Sequence, residues 1–245
     1  MQQATEQPQP LVRRVRHELK VRELTIARID DLGPGFAAIT FTGEALADFT
    51  SLSFDDHVKL MFADQDGQDV RRDYTPRRFD REARELVIEF ALHGDGKASG
   101  WARRAVAGQR ALVGGPRGSF IVPPELDWHL LVGDATALPA IARRLEELPA
   151  GSRALVFVHA AAEDRRTFAG ASDADVRWYE TPDALVDALR DVALPDGDGF
   201  AWGGGEASLM ARVRQVLNDK GMPREATRVS AYWKRGVTEH HENLD

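Results

Sequence analysis

The stretch that decides the interpretation of this chain is Arg71-Arg72-Asp73-Tyr74-Thr75-Pro76-Arg77-Arg78. In an extended chain Arg72 and Tyr74 share one face, because side chains alternate between the two faces of a strand. Thr75 follows at the strand end, and Pro76 fixes where the strand stops. A guanidinium, a flat ring and a hydroxyl in this order match the pyrophosphate, the ring system and the ring nitrogens of a flavin dinucleotide. The stretch therefore predicts a flavin-holding strand end, with a solvated arginine-rich strand end as the plainer alternative.

The residues around this stretch alternate apolar and polar side chains in several short segments. The alternation runs through residues 19–29, 36–41, 57–62 and 86–92, and the turn-forming residues 30–35 separate the first two segments. Short strands joined by turns, with only brief helical segments, are typical of an antiparallel barrel. We therefore predict an N-terminal antiparallel β-barrel.

The hydrophobic period changes after Pro123 and Pro124. Short apolar strands now alternate with segments of helical period, which is typical of a parallel sheet with crossover helices. We therefore predict a Rossmann-like parallel-sheet domain after the barrel, and a fold of the β + α/β class. The expected organisation is a disordered leader over 1–12, a flavin-binding barrel over 13–125, an α/β domain over 126–233 and a C-terminal tail near the flavin over 234–245.

Composition limits the chemistry of the chain. It has 245 residues, of which 43% are hydrophobic, and it has no cysteine. Disulfides, thiolate nucleophiles and cysteine-ligated iron–sulfur clusters are therefore excluded, so redox chemistry must depend on a bound organic cofactor. The net charge of −7 argues against a general nucleic-acid binder. The first ten residues lack the apolar core of a signal peptide and no run reaches transmembrane length, so we expect a cytoplasmic protein without a membrane partner.

A second candidate segment for the flavin is His93-Gly94-Asp95-Gly96-Lys97-Ala98-Ser99-Gly100-Trp101-Ala102. It follows a strand and opens a helix, and small residues before a helix let backbone N–H groups approach a phosphate. A plain turn with Ser99 as a helix N-cap is the alternative. The residues expected to hold the cofactor here are His93, Gly96, Lys97, Ala98, Ser99 and Trp101.

Two strand ends in the second half carry candidate residues for a second nucleotide. Residues 133–139 follow the first parallel strand, where open α/β sheets bind ligands, although an ordinary βα turn explains them equally well. Residues 203–206 follow a later strand, and a backbone without side chains would let a nicotinamide ring lie close to the flavin. Arg165 and Arg166 are candidates for a 2′-phosphate, with a solvated loop as the alternative. The predicted nucleotide-binding residues are Gly133, Asp134, Thr136, Ala137, Gly204, Gly205 and Glu206.

The order of these motifs resembles that of the siderophore-interacting proteins, which are flavin-dependent ferric-siderophore reductases related to the ferredoxin–NADP reductase superfamily. The resemblance spans nearly the whole chain. It implies FAD bound non-covalently on the barrel and NADPH or NADH on the second domain. Relatives usually have an acidic residue at 159–160 and alanines at 203–204, and both departures leave NADPH versus NADH open. The motifs are R-x-Y-T from Arg72, HGDGKASGWA from His93, GPRG at 115–118, VGDATALPAI at 132–141, WGGGEAS at 202–208 and YWKRG at 232–236.

The resemblance also implies an anionic ferric siderophore, a hydroxamate or a catecholate, bound by basic side chains over the flavin edge. Fe(III) is held strongly by such oxygen donors and Fe(II) far less so, so reduction releases the iron. No catalytic residue beyond the flavin and no metal-binding residue is assigned, and we expect a monomer. A general NAD(P)H:flavin or electron-carrier reductase, or a non-catalytic siderophore-binding protein, are the competing interpretations. Carried over by position, the basic residues are Lys59, Arg117, Lys234 and Arg235.

Overall fold

The computed structural model describes residues 11–92, 96–170 and 173–237, and the backbone of residues 242–243. His93, one of the predicted cofactor residues, lies outside the described residues, as do most of the predicted leader and half of the predicted tail. Leu11 and Val12 pack against the core of the second unit. None of the helices within the described ranges is long and apolar enough to cross a membrane.

The first unit is an antiparallel sheet curled around one apolar core. Its strand order is β5-β4-β8-β2-β3-β7-β6, and β1 pairs separately with β9. The edge strands β5 and β6 are joined by residues 75–77, so the barrel is open between them. The predicted antiparallel barrel is confirmed in this open form. Its elements are β1 (Arg13–Arg16), β2 (Val21–Asp31), β3 (Phe36–Thr42), β4 (Val58–Ala63), β5 (Asp69–Tyr74), β6 (Arg78–Asp80), β7 (Glu85–Ala91), α1 (Lys97–Arg103), β8 (Arg110–Gly114) and β9 (Gly118–Ile121).

The second unit is a sheet of order β12-β11-β10-β13-β14-β15, parallel except for β15. The chain passes from β10 to β11 and β12 on one side, then crosses to β13 and β14 on the other. The predicted Rossmann-like sheet is thereby confirmed, and a crevice is expected at the carboxyl ends of β10 and β13. The elements are β10 (Trp128–Asp134), α2 (Leu138–Glu147), β11 (Arg153–His159), β12 (Ala174–Tyr179), α3 (Pro182–Asp191), β13 (Gly199–Glu206), α4 (Ala207–Asp219), β14 (Thr227–Trp233) and β15 (Glu242–Asn243).

A buried arginine on α2 joins the two units. Arg143 Nη1 donates to the carbonyl oxygen of Pro76 and to Ser51 Oγ, both at 2.8 Å, and Nη2 donates to the Ser51 carbonyl at 3.2 Å. Its Nε also bonds Glu147 one turn along the helix, at 2.7 Å. The guanidinium therefore fixes α2 against the end of β5, where the stretch quoted above leaves the sheet.

A second polar contact between the units involves Glu89 on β7. Its carboxylate accepts hydrogen bonds from Arg77 at 3.0 Å and from Arg166 at 2.6 Å. The Arg166 guanidinium also stacks over the ring of Phe36, 4.6 Å from its centroid. Arg166 is thus held at the interface between the units, which corrects the expectation that it reaches a 2′-phosphate or lies in a solvated loop.

His129 is a fully buried imidazole on β10. Its Nε2 lies 3.3 Å from the Pro124 carbonyl oxygen and its Nδ1 lies 3.4 Å from Arg144 Nη2. A neutral ring protonated on Nε2 satisfies both contacts, since a guanidinium can only donate. Burial, assisted by the Arg144 charge, lowers the pKa of His129 to about 4. The folded protein therefore resists protonation of this ring.

We predict that His129 makes the fold less stable as the pH falls below 6.5. Because the pKa in the folded state lies below that of an unfolded histidine, the unfolded chain binds the extra proton, and stability is lost between pH 6.5 and 4. The expected loss between pH 7.5 and 5 is about 2 kcal/mol from this residue. When the free energy of urea unfolding is measured at both pH values, His129→Gln should lose less stability between pH 7.5 and 5 than wild type does. Parallel curves for the two proteins would contradict the prediction.

Candidate functional site

The first cleft lies between the end of β5 and the second unit, and we call it the Tyr74 cleft. It has a volume of 190 Å³. The barrel contributes the ends of β5 and β7 and the start of β3, and the second unit contributes the turn after β10, the start of α2 and the end of β14. The lining residues are Phe36, His57, Arg72, Asp73, Tyr74, Thr75, Glu89, Ala91, Thr136, Pro139, Tyr232 and Trp233.

The structure brings together Arg72, Tyr74 and Thr75, which the sequence predicted to act together. The Tyr74 ring packs on Phe90 with a centroid distance of 4.4 Å. Burial raises the pKa of the Tyr74 phenol above its usual value, against the opposing effect of the Arg72 charge. The phenol therefore stays protonated at neutral pH and keeps a hydrogen to donate. Arg72 Nη1 donates to the carbonyl oxygen of Arg71 at 2.7 Å, which holds the guanidinium against its own strand.

The second cleft opens at the carboxyl ends of β10 and β13, and we call it the Asp134 cleft. Its volume is 490 Å³. Ala91, Thr136 and Trp233 line this cleft as well as the Tyr74 cleft, so the two clefts are adjacent and share a wall. The other lining residues are Asp134, Ala135, His159, Ala160, Ala161, Asp164, Glu180, Pro182, Glu206, Ser208, Leu209 and Arg235.

Asp134 is a buried carboxylate that ties three elements together. Its Oδ1 accepts hydrogen bonds from the backbone N–H of Thr136 at 2.8 Å and from the Thr136 hydroxyl at 2.5 Å. Its Oδ2 accepts from the indole Nε1 of Trp233 at 2.9 Å and from the backbone N–H of Glu206 at 2.7 Å. The ends of β10, β13 and β14 are thus joined at one side chain, and the Trp233 ring is held on the wall between the two clefts.

Glu206 serves as the N-cap of α4. Its Oε2 accepts from the backbone N–H groups of Ser208 and Leu209, at 2.7 and 3.2 Å, and from the Ser208 hydroxyl. Partial burial raises the pKa of the Glu206 carboxyl, but these hydrogen bonds outweigh it, and the net pKa lies below the ordinary value. The carboxylate is therefore charged and committed to the helix end, with Oε1 lying 3.4 Å from the backbone nitrogen of Arg235.

The glycines at these strand ends are explained by internal packing. A Cβ at Gly133 would lie 2.5 Å from the Ala137 Cβ, and a Cβ at Gly204 would lie 3.0 Å from the rings of Trp202 and Tyr232. A Cβ at Gly205 would lie 2.8 Å from Asp134 Oδ2. At Gly204 and Gly205 the space without a side chain is therefore filled by the protein, and the contact of residues 203–206 with a nicotinamide ring stays a prediction. Ala137 is likewise buried in the core of the second unit.

The residues predicted on α1 do not line either cleft. Trp101 lies in the barrel core, with its ring centroid 4.8 Å from that of Phe62, so a large apolar ring fills the barrel where a cofactor contact was expected. Lys97 pairs with Asp64 at 2.7 Å. The Ser99 hydroxyl donates to the carbonyl of Gly96 at 2.9 Å, inside the first helical turn, and Ala98 packs against the barrel core.

The four predicted substrate-binding cations occupy different positions. Lys59 forms a 2.8 Å ion pair with Asp73, which lines the Tyr74 cleft. Lys234 is exposed and directly follows Trp233. Arg235 lines the Asp134 cleft, so its side chain faces the second cleft and not the first. Arg117 is exposed in the turn between β8 and β9 and lines neither cleft.

Sequence reasoning missed several residues that shape the site. Arg143 gave no signal, because an arginine within a helical pattern is normally solvated. Phe36 lines the Tyr74 cleft from a strand that was predicted only as scaffold, and Pro139 and Tyr232 line it from quoted motifs in which neither residue was assigned to the site. Burial, reinforced by the Asp55 carboxylate, raises the pKa of Tyr232 well above the ordinary value, so a second protonated phenol lies at this cleft.

The donor set of the Tyr74 cleft fits a flavin. Flat side chains from both units face a narrow space, which suits a planar ring system, and the Thr75 hydroxyl and the Arg72 guanidinium supply polar contacts at its edge. The Asp134 cleft, at the switch point of a parallel sheet, has the position at which such sheets bind nucleotides. The fold and the shared wall thus define a protein built to bring two planar cofactors together.

Comparison with known proteins agrees with this architecture. Residues 126–236 match the family model described as siderophore-interacting protein, and residues 25–71 and 64–120 match its siderophore-interacting FAD-binding domain. The chain belongs to the siderophore-interacting protein family and carries the FAD-binding domain of that family. The resemblance read from the motifs is thereby confirmed.

Individual relatives align over most of their length. The chain is 35% identical to the NADPH-dependent ferric-chelate reductase of Escherichia coli K12, over 90% of this chain and 95% of the relative. It is 28% identical to the ferric vibriobactin reductase ViuB of Vibrio cholerae, over 90% of this chain and 93% of the relative. The crystal structure of a siderophore utilization protein from T. fusca superposes with a TM-score of 0.87 at 34% identity, covering 96% of this chain and 98% of the other.

We predict that Asp134→Asn destabilises the protein. An amide keeps one acceptor oxygen and turns an NH₂ group toward two of the four donors that now bond the carboxylate. Leaving buried donors unpaired costs roughly 1–3 kcal/mol each, so the unfolding free energy should fall by about 2–4 kcal/mol. Asp183→Asn is the matched control, because Asp183 forms an exposed ion pair with Arg212 and should change stability by less than about 1 kcal/mol. Equal stability of the two variants would contradict the role of Asp134.

Proposed function

We propose that this protein is an FAD-dependent ferric-siderophore reductase that uses NADPH to reduce Fe(III) to Fe(II) in the cytoplasm, as a monomer. The observation that carries the proposal is the wall shared by the Tyr74 and Asp134 clefts. A nicotinamide donor and a flavin acceptor must lie in contact, and two adjacent clefts with common lining residues allow that. Family membership and the names of the two relatives support the same activity.

In this proposal the chain holds the FAD mainly through the end of β5. The chemistry that FAD would supply there is acceptance of a hydride and delivery of single electrons. Arg72 would pair with the pyrophosphate, Tyr74 would pack along the flavin, and Thr75 would hydrogen-bond near the ring edge. Pro139 and Trp233 cover the cleft from the second unit and exclude water.

NADPH is assigned to the Asp134 cleft. The lining of that cleft is rich in carboxylates, namely those of Asp134, Asp164, Glu180 and Glu206. Because these carboxylates repel the phosphate groups of NADPH, the phosphates must be bound by cations at the edge of the cleft. Arg235 lines the cleft, and Arg165 Nη2 lies 3.4 Å from the carboxylate of Glu180. We assign these two guanidiniums to the phosphates of the nucleotide, because Arg166 is held by Glu89.

The substrate is an anionic ferric siderophore of the hydroxamate or catecholate type. The oxygen donors of either type hold Fe(III) strongly and release Fe(II), so electron delivery is sufficient for iron release and no protein group has to cut the chelate. Lys234, which directly follows the cleft residue Trp233, supplies local positive charge on a chain whose net charge is −7, whereas the charge of Lys59 is offset by its ion pair with Asp73. Such charges raise the local concentration of an anionic substrate.

We predict that Arg72→Ala weakens FAD binding. Loss of a hydrogen bond to a charged group costs on the order of 1.5–3 kcal/mol, which corresponds to roughly a 10- to 150-fold higher Kd. Arg71→Ala is a close control, because Arg71 lies on the opposite face of β5 and lines a groove with Met61 and Leu112. Both Kd values follow from fluorescence titration of the apoprotein with FAD. Equal retention of FAD by the two variants would remove Arg72 from the site.

We predict that Lys234→Ala lowers kcat/KM for an anionic ferric siderophore by about 2- to 5-fold at low ionic strength, and by less as salt screens the charge. Reduction of a neutral dye by NADPH should not change, because the dye gains nothing from the lysine charge. Lys20→Ala is the control, since Lys20 is paired with Asp48 away from both clefts. An equal loss with both substrates would favour a general electron-carrier reductase over a siderophore-specific one.

A further inference from the structure

A third cavity lies at the amino ends of the strands of the second sheet, whereas the two clefts lie at the carboxyl ends. The clefts open where β10, β13 and β14 end, whereas this cavity is lined by Thr227, Arg228 and Val229, where β14 begins. Residues of β9 and of the second half of α4 complete it, together with Val12 and Arg14. Its volume is 730 Å³, within the range of about 300–1,000 Å³ typical of small-molecule sites. We call it the arginine cavity.

The charge of the arginine cavity is opposite in sign to that of the whole chain. Four guanidiniums line it, those of Arg14, Arg214, Arg224 and Arg228, against the single carboxylate of Glu225. The chain as a whole has a net charge of −7. A concentration of positive charge in a concave surface of an acidic protein focuses the local field and attracts anions.

Arg228 forms the inner wall of the cavity and is already occupied. Its Nε donates to Asp55 Oδ2 at 2.5 Å, and its guanidinium lies over the Phe120 ring, 4.5 Å from the centroid. The other oxygen of Asp55 accepts from Trp202 Nε1 at 2.8 Å. Arg228 is therefore part of the contact between the units and is not counted among the groups available to a ligand.

The remaining three arginines of the cavity differ from Arg228. Within the part of the chain that the structure describes, the guanidiniums of Arg14, Arg214 and Arg224 form no ion pair and no hydrogen bond, and Arg14 only stacks on Phe120 at 5.2 Å. Arg212, two residues before Arg214 on α4, pairs with Asp183 at 2.7 Å. On α4, Arg212 thus has a carboxylate partner, whereas Arg214, which faces the cavity, has none among the described residues.

We propose that the arginine cavity binds a small oxyanion that carries two or more negative charges, a phosphate ester or a polycarboxylate. A planar guanidinium donates two parallel hydrogen bonds to such a group. Three guanidiniums, from β1, α4 and the turn before β14, line one cavity here. Asn218 and Thr227 add neutral polar groups to the lining. The site lies away from the flavin and nucleotide clefts and does not depend on the electron-transfer function.

The test is isothermal titration of the full-length FAD-loaded protein with pyrophosphate and, separately, with citrate, at constant ionic strength. Wild type should bind at least one of the two anions saturably. Tighter binding of pyrophosphate indicates a phosphate ligand, and tighter binding of citrate indicates a polycarboxylate ligand. The double variant Arg214→Gln/Arg224→Gln should raise the Kd by about tenfold or more, because each lost charge-assisted hydrogen bond weakens binding by that order. Arg214→Lys/Arg224→Lys keeps the positive charges but loses the paired guanidinium donors, so its Kd should lie between that of wild type and that of Arg214→Gln/Arg224→Gln.

The matched control is Arg190→Gln/Arg212→Gln, which removes the same charge from exposed ion pairs on α3 and α4. It should leave the Kd unchanged. Binding that persists in Arg214→Gln/Arg224→Gln places the anion elsewhere, for example in the nucleotide cleft, and overturns the proposal. Absence of saturable binding of both anions to wild type overturns it as well. The exposed side chain of Arg224 and the half-buried one of Arg214 lie outside the apolar cores, so both variants are expected to fold.

Discussion

The relation between the two units depends on the buried guanidinium of Arg143. It donates to the Pro76 carbonyl and to Ser51 on the barrel while it is carried by α2 of the second unit. The same helix presents Pro139 to the Tyr74 cleft, and Pro76 directly follows the residues that line the other side. This charged side chain therefore ties the two walls of the cleft together, and the contacts of Glu89 and Asp55 across the same interface support it. Its four hydrogen bonds matter because a buried charge without partners is strongly destabilising.

Local patterns predicted most of the scaffold. Alternation over 86–92 corresponds to β7 at Glu85–Ala91, and the helical period after residue 138 corresponds to α2 at Leu138–Glu147. Arg72, Tyr74 and Thr75 meet at one cleft because neighbours on a strand stay neighbours in space. Contacts between distant residues were not predictable: Trp233 bonds Asp134 across 99 positions. The packing of Trp101 and Gly204 was not predictable either, because a core ring and a tightly packed glycine have the same sequence pattern as a cofactor contact.

The protonation states at the clefts complement one another. Tyr74 and Tyr232 are buried phenols whose pKa values are raised, so both stay neutral donors at the Tyr74 cleft. Glu206, with a lowered pKa, stays charged at the helix end. The Asp134 carboxylate lies between these groups and has all of its donors supplied by the protein. The polar groups that shape the wall are thus satisfied before any cofactor binds, which favours a preorganised site.

The short strand β15 pairs antiparallel with Ser230 and Ala231 on the outer side of β14. A parallel sheet that ended at β14 would present unpaired N–H and C=O groups there, and exposed sheet edges of this kind pair with strands from other molecules. Residues 242–243 occupy that edge from within the same chain. Removing residues 242–243 would expose the backbone of β14 close to Trp233, and self-association through strand addition would then become possible there.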